Sequence, residues 1–253
     1  MIDSTLKTDV AANESDKFIE KFKSIFQGVW VKRDYITSIE KTHSPYKSQL
    51  KLWGVASILI DMKQVKDSVI AGYSLNNHEG SNFTVFFKPV VNSTSLKINL
   101  SDYNNKSNYY ELGYRIIGSD TSITLYHINK YKVIIDSTRY RRVLNKAIDE
   151  NNAADGIDFI TNKKLFAGKY DLIDIGGHRS TVDFNTNGKV SGFLSFSKYY
   201  INTDFVAGPE NNLDDVIFDL SSTVSADFAY KFSADTIKLF EVKHNADSTL
   251  LKS

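Results

Sequence analysis

Five histidines are the first side chains in this sequence that could act as general bases or metal ligands. They occupy positions 43, 78, 127, 178 and 244, and no two have the spacing that brings a pair of imidazoles onto one metal ion. His127 alternates with Ile123 and Leu125, which predicts a strand with these side chains on one face. We interpret each histidine as a hydrogen-bonded core or surface residue. An enzyme would need a pocket that gathers His127 or His178 with acidic side chains, and the sequence spacing gives no sign of one.

Two loops resemble ion-binding sites only in part. The run from Asp183 to Gly188 begins like a calcium loop, D-x-N-x-N-G, but the position that should supply a bidentate acid is Leu194. Asn187-Gly188 instead predicts a tight β-hairpin. Gly176-Gly177 could present backbone amides to a phosphate, yet no helical pattern follows, so a strand connection is favoured. We therefore predict no metal ion and no cofactor.

Composition removes further classes of chemistry. The chain of 253 residues has no cysteine, which excludes disulfides, thiolate nucleophiles and cysteine-ligated metals. It has no Gly-x-Ser-x-Gly motif, and Asp214, Asp215 and Asp219 are expected on a solvated rim. A formal net charge of +1 gives no reason to expect a nucleic acid as partner. The sequence therefore predicts a protein that is not an enzyme and has no catalytic residue.

Segments of the first half alternate apolar and polar side chains, as half-buried strands do. Leu112, Tyr114 and Ile116 show this alternation clearly, and turn-forming residues separate the segments. An up-and-down antiparallel sheet of this kind avoids exposed edges best by closing into a barrel. Eight strands are predicted, with a longer loop at 38–53 after the first: 28–37, 54–62, 67–75, 82–90, 94–100, 108–117, 121–128 and 131–137.

Helical patterns flank this first sheet. Apolar residues from Phe18 to Phe26 share one helix face, and Gly28 ends the helix. Val143 to Ile148 suggest a linking helix at 139–151, and seven further strands follow between 168 and 243. The predicted domains are a flexible tail at 1–14, a barrel with its flanking helices at 15–152, a smaller or divergent barrel at 153–245 and a tail at 246–253.

The two halves begin with the same pattern. Lys23-Ser-Ile-Phe-Gln-Gly-Val-Trp30 and Lys163-Lys-Leu-Phe-Ala-Gly-Lys-Tyr170 share a lysine, an aliphatic residue, a phenylalanine, a glycine and a large aromatic at identical spacing. In each half a helical pattern leads into the glycine, and a run of strands follows it. A repeated entry into two barrels explains both segments.

A helical turn followed by Gly-x-Trp at the start of the first strand resembles the lipocalin (calycin) barrels, and most closely the exported lipocalin-like proteins of bacteria. The resemblance implies an all-β fold of two antiparallel up-and-down lipocalin-like barrels in tandem, with a short helix before the first and a linking helix between them. It also implies that Trp30 plugs the closed end of the first barrel, and that Gly28 lets the entering segment pass close beneath it.

The same resemblance implies an arginine stacked on that tryptophan, from the end of the last strand of the first barrel. Arg139 is the best match, with Arg141 or Arg142 as alternatives, and cation–π attraction gives such a pair its physical basis. Gly168 and Tyr170 are a weaker version of the plug in the second half, which has no equivalent arginine.

A small eight-stranded barrel either fills its interior with side chains or lines a pocket for one small ligand. We expect the first barrel to hold a small apolar or amphipathic ligand, with the 38–53 loop where lipocalins place a lid. The alternative is a structural or interaction module of the bacterial cell envelope, with filled barrels and an outer surface that contacts a protein or a glycan. A contiguous exposed aromatic patch would favour this alternative. The expected lining residues are Tyr73, Phe83, Phe87, Tyr110, Tyr114, Tyr126 and His127.

The sequence also suggests where the protein acts. Its longest apolar run, at 55–60, is too short to be a transmembrane segment. The start, MIDSTLKTDVAANESD, is polar and has no apolar signal core. Together with the resemblance, this start predicts an exported monomer, either periplasmic or an outer-membrane lipoprotein, with Met1 in place of a removed leader. The alternative is a cytoplasmic protein.

Overall fold

The computed structural model describes residues 20, 22–62, 67–87, 95–118, 120–205, 213–244 and 249–251. These residues are mostly in β-strands, as the sequence predicts. The first predicted helix is present, because residues 22–26 are helical (α1). The expected tail at 1–14 lies outside the described residues, whereas part of the tail expected at 246–253, Thr249–Leu251, forms a strand.

The first eight strands form a closed antiparallel barrel in chain order, and the eighth strand pairs with the first. This arrangement confirms the predicted up-and-down barrel. Alternation builds its core: Leu112 and Leu125 lie opposite each other on neighbouring strands, and both are buried. The strands are β1 (Gly28–Lys32), β2 (Val55–Ile60), β3 (Ser68–Leu75), β4 (Glu79–Phe86), β5 (Ser95–Ser101), β6 (Tyr109–Ile117), β7 (Asp120–Ile128) and β8 (Ile134–Leu144).

Strand β1 is shorter than the predicted 28–37, because a helical insertion follows it at once. Tyr35, Ile36 and Ile39 have helical spacing and are buried on one face of this insertion. Most of the predicted loop at 38–53 is therefore helical. The insertion contains α2 (Arg33–Thr42), α3 (Pro45–Ser48) and a 3-10 turn (Gln49–Leu52).

The helix predicted at 139–151 is wrong. Strand β8 continues to Leu144, because Tyr140 pairs with Ile123 on β7 and Arg142 pairs with Trp30 on β1. Val143 and Leu144 have helical spacing with Ala147 and Ile148, but they continue the strand alternation that begins at Ile134. The linking helix lies further along the chain, as α4 (Asp155–Leu165).

In the second half, the described strands form two open sheets, and the predicted second barrel does not appear there as a closed sheet. An isolated bridge between Lys189 and Lys198 connects them. Their apolar faces share one core with the end of α4, centred on Phe166, Phe184 and Phe218. The three-stranded sheet has the order β11-β10-β9, from β9 (Gly168–Ile173), β10 (Arg179–Phe184) and β11 (Val190–Ser191). The five-stranded sheet runs β12 (Tyr199–Ile201), β13 (Asp215–Phe218), β14 (Ala226–Ser233), β15 (Thr236–His244) and β16 (Thr249–Leu251).

The chain divides into two compact units whose segments alternate along the sequence. A boundary falls at Ala153/Ala154, beside the predicted one at 152/153. The helical insertion belongs to the second unit, and its Tyr35 hydroxyl hydrogen-bonds the Thr161 hydroxyl of α4 at 2.9 Å. The first unit comprises the described residues up to Lys32, Ser57–Ser74 and Gly80–Ala153, and the second comprises Arg33–Ala56, Leu75–Glu79 and those from Ala154 on.

Candidate functional site

Strands β1 and β8 approach each other closely at Gly28, where the chain enters the first barrel. Gly28 has φ 125°, and a Cβ at this position would overlap the carbonyl oxygen of Leu144 on β8, so only glycine fits here. Trp30 is fully buried, and its indole N–H donates to the carbonyl of Phe26 at 2.9 Å. The indole is therefore fixed to the end of α1, directly beside the barrel wall.

The arginine that stacks on Trp30 is Arg142, and the prediction of Arg139 is wrong. The Arg142 guanidinium carbon lies 4.6 Å from the centre of the indole ring. Its Nη2 donates to the carbonyl oxygens of Ser24 at 2.9 Å and Ile25 at 2.5 Å, where the last turn of α1 leaves acceptors without helical partners. Register explains the choice, since Arg142 pairs with Trp30 whereas Arg139 points to the exposed face. Burial lowers the pKa of Arg142.

Four aromatic rings pack together where α1 meets the barrel. The Phe22 ring centre lies 5.6 Å from that of Phe87 and 5.8 Å from that of Tyr114, and Phe26 lies 5.6 Å from Tyr114. Phe87 and Tyr114 were expected to line a ligand cavity. At these two positions the neighbour is the chain's own helix.

The other expected lining residues separate into two faces. Tyr73 and Phe83 have ring centres 5.8 Å apart. Tyr110 and His127 pair on the same face as the buried Leu112 and Leu125. Tyr126 is the exception, because its strand position turns it to the opposite face, where its ring covers Gly113. Tyr126 therefore does not line the barrel interior with the others.

A polar cluster surrounds His127. The Tyr110 ring stacks on the imidazole with centres 4.5 Å apart, and the His127 Nε2 lies 3.0 Å from a carboxylate oxygen of Asp102. The side chain of Asn108 donates to the same oxygen at 3.0 Å, and the backbone N–H of Asn104 donates to the other at 2.8 Å. These two hydrogen bonds, in that order, hold the pKa of Asp102 below its usual value.

Sequence spacing does not predict this pairing of His127 with Asp102. Asp102 lies in the turn after β5, and only the barrel register brings it to His127. An imidazole beside a carboxylate is one component of acid–base catalysis. Among the described residues, His127 contacts the Asp102 carboxylate and the Tyr110 ring, and this pair alone does not define a catalytic centre.

The second unit contains an apolar cleft of about 310 Å³ between β9 and β15. Strand β9 ends its sheet, and among the described residues only the Val242–His244 end of β15 pairs with β16. The cleft therefore lies between the edge of β9 and the part of β15 that does not pair with β16. Its walls are the half-buried side chains of Tyr170, Leu172, Ile237 and Leu239, its base is formed by Phe166, Val182, Phe184 and Phe193, and Lys169, Asp171, Asp235 and Thr236 add polar groups.

Gly168 and Tyr170 stand at this cleft. Gly168 has φ 155°, so the second half repeats the helix–glycine–strand entry of the first. Tyr170 differs from Trp30 because it is only half-buried, packs edge-on against Phe184 at 6.0 Å and lines the cleft. The expected weaker version of the plug is thus a wall residue of an apolar opening.

A larger and more polar depression, of about 830 Å³, lies over β13 and β14. Asp215 is buried there, and its carboxylate accepts a hydrogen bond from the Asn202 side chain at 3.2 Å. Burial, reinforced by the charge of Asp227, raises the pKa of Asp215 to about 7. The expectation of a solvated rim is therefore wrong for Asp215. Asp214 is also partly buried and accepts the backbone N–H of Tyr46 at 2.8 Å.

The two loops that resembled ion sites are hairpin turns. Asn185 accepts hydrogen bonds from the backbone of Asn187 and Lys189, which confirms the predicted hairpin. At the other loop, the Asp174 carboxylate itself accepts the N–H groups of Gly176 and His178, at 2.8 and 2.9 Å. An anion from the chain thus takes the place that a phosphate would need.

Within the described parts of the chain, no three histidine or acidic side chains come together as metal ligands. No described helix has the length and apolar character needed to cross a membrane. No protein-family model, no curated protein and no solved structure matches this chain. The geometry of the two units is therefore the basis for any functional argument.

Proposed function

We propose that this chain is a non-enzymatic binding protein that holds a small apolar or amphipathic ligand in the cleft between β9 and β15. The observation that carries the proposal is the cleft itself, about 310 Å³ in volume and walled by half-buried apolar side chains at the edge of the second core. Ligand pockets typically have volumes of about 300–1,000 Å³, with apolar walls and few polar groups.

The proposal includes a relationship between the two halves, in which the second is an opened form of a lipocalin-like barrel. The repeated helix–glycine–strand entry at Gly28 and Gly168 supports this interpretation. So does the Lys189–Lys198 bridge, which links the two open sheets into one up-and-down series of strands. The two halves differ in how the first strand of each is paired. In the first half β1 pairs with the last strand, β8, whereas in the second half β9 borders the cleft.

The cleft is a stronger candidate than the first barrel, where the sequence placed the ligand. In the barrel, Phe22 and Phe26 from α1 pack against Phe87 and Tyr114, so the chain's own rings occupy that end. In the cleft, Leu172 and Leu239 keep part of their apolar surface uncovered. Covering this surface with a ligand removes it from water and favours binding.

Titration with the neutral fluorescent probe N-phenyl-1-naphthylamine tests the proposal. We expect saturable binding to the full chain, and a Kd at least about tenfold higher for Leu172→Phe, because the larger ring fills the cleft. Ile173→Phe is the matched control. Ile173 is the next residue on β9 and points to the exposed face, so this variant should bind like the unmodified chain.

Two results would overturn the proposal. One is the absence of saturable binding by the unmodified chain. The other is an equal loss of affinity in the Leu172 and Ile173 variants, which would mean that the probe binds elsewhere. Circular dichroism of both variants shows whether the fold is kept, so that misfolding is not mistaken for loss of the site.

A further inference from the structure

The β7–β8 hairpin of the first unit exposes an apolar surface that packing within the unit does not explain. Tyr131, Val133, Ile134 and Ile135 are 74%, 55%, 55% and 49% exposed. The strand is irregular here, because Ile128 pairs with Ile134 whereas His127 pairs with Asp136, and both Ile134 and Ile135 are left exposed. Contiguous exposed apolar surface commonly marks an interaction site. We call residues 130–135 the hairpin tip.

A neighbouring loop extends this surface. The β5–β6 loop lies at the same end of the barrel, since Asp102 contacts His127 and Tyr109 pairs with Ile128. Tyr103 in this loop is 96% exposed. Exposed aromatic and aliphatic side chains from two adjacent loops therefore stand together at one end of the first barrel.

The charges at this end are mainly positive. Lys130 and Lys132 alternate with the apolar residues of the hairpin tip, and both are exposed. The Lys130 ammonium lies 5.0 Å from the centre of the Tyr131 ring, so basic and aromatic groups form one surface. Of the nearby acids, Asp102 is largely buried and held by Asn108 and His127. The exposed Asp136 lies behind the tip, where it pairs with His127 in the sheet register.

We propose that the hairpin tip docks on a membrane surface that contains anionic lipid. Tyrosine prefers the boundary between headgroups and acyl chains, where its ring is apolar and its hydroxyl is hydrated. Lysine can keep its ammonium group among the headgroups while its aliphatic stem stays in the apolar layer. The aliphatic side chains of Val133, Ile134 and Ile135 would enter the acyl region, and the lysines would attract the anionic headgroups.

A lipid surface fits the tip better than a groove on a protein. A groove usually accepts one face of a single strand, whereas the exposed side chains here come from a turn, from the irregular start of β8 and from the β5–β6 loop. An apolar layer can accept side chains that project from several segments at once. The formal net charge of +1 does not oppose this docking, because the attraction depends on the lysines within a Debye length of the surface.

Flotation of the full chain with vesicles tests the proposal. We expect binding to vesicles of phosphatidylcholine with a third phosphatidylserine, and weak binding to pure phosphatidylcholine. Lys130→Ala/Lys132→Ala should lower the partition coefficient on the anionic vesicles by about fivefold for each lysine. Tyr131→Ser/Ile134→Ser should lower it by at least about tenfold. The matched control is Ile116→Ser/Ile117→Ser, which alters two exposed isoleucines at the opposite end of the same barrel and should bind normally.

A second measurement locates the contact. Because the chain has no cysteine, Tyr131→Cys provides a single thiol for an environment-sensitive fluorophore, with Ile116→Cys as the control. Emission should shift to the blue with anionic vesicles only for the label at 131. Absence of binding to both vesicle compositions, equal binding to both, or equal losses in the tip and control variants would each overturn the proposal. The first of these results would direct the search to a protein partner.

Discussion

Replacing Asp215 with asparagine should stabilise the second unit at neutral and alkaline pH. The folded-state pKa of Asp215 is about 7, compared with its usual value of 3.8, because burial and the charge of Asp227 disfavour ionisation. Between these two values the folded chain retains a proton that the unfolded chain releases. The free energy of unfolding therefore falls as pH rises from about 4 to about 7 and stays low above that range.

The size of the effect follows from the shift. About three pKa units at roughly 1.4 kcal/mol each give an upper limit of about 4 kcal/mol for the loss of stability due to Asp215. Asp158 on α4 acts in the same direction, since burial and the neighbouring Asp155 raise its pKa to about 7. Asp215→Asn keeps hydrogen-bonding capacity toward Asn202 and removes the ionisation, so we expect a gain of about 2–4 kcal/mol at pH 8 and little change at pH 4.

Urea unfolding at pH 4.5 and pH 8 measures this gain, and hydrogen exchange of peptides that cover β13 and β14 assigns it to the second unit. Asp219→Asn is the matched control with the opposite sign. Desolvation raises the pKa of Asp219, but hydrogen bonds from the N–H groups of Lys198 and Ser197 outweigh it, so the pKa lies below its usual value. Its variant should therefore lose stability at pH 8. If the unmodified chain is equally stable at both pH values, or if Asp215→Asn gives no gain at pH 8, the reasoning fails.

Two further predictions concern the barrel entry, and both are measured by urea unfolding of the full chain. Gly28→Ala should cost at least about 2 kcal/mol, because its Cβ would overlap the Leu144 carbonyl at a positive φ. Gly168→Ala should cost less, since its Cβ would meet only the Tyr170 ring, at 3.5 Å; equal costs would contradict this account. Arg142→Lys should cost about 1–3 kcal/mol through loss of the planar stack on Trp30 and of the paired hydrogen bonds to the end of α1. Arg139→Lys should change little, and a comparable loss there would count against the assignment of Arg142.

The sequence predicts the first barrel well because its strands alternate and its turns carry the expected residues. It fails at residues 33–37, where Tyr35 and Ile36 look like a continuing strand. The helix forms because Tyr35, Ile36 and Ile39 all gain a buried face in the second unit. Tertiary packing therefore overrides a local preference, and no local pattern reveals that packing.

The candidate sites were harder to predict for a related reason. A register shift between Val29 and Trp30 places Arg142 opposite the tryptophan, and a shift of this kind has no signature in composition or spacing. The cleft depends on how far β15 extends beyond its pairing with β16. The exposed hairpin tip was not predicted either, because the alternation of its lysines with apolar residues looks like part of the strand predicted at 131–137. Only the structure shows that nothing in the described barrel covers those residues.

The division of the second unit into separate chain segments has a consequence for synthesis on the ribosome. Helix α2, with Tyr35 and Ile39, is translated before most of the first barrel, whereas its packing partner α4 is translated after it. The buried face of α2 must therefore remain without its native partner while seven strands are made. The first unit has all of its segments once Ala153 has left the ribosome, so it is the unit that can fold first. A cut at Ala153/Ala154 would separate α2 from α4, and the two units cannot be produced intact as two consecutive fragments.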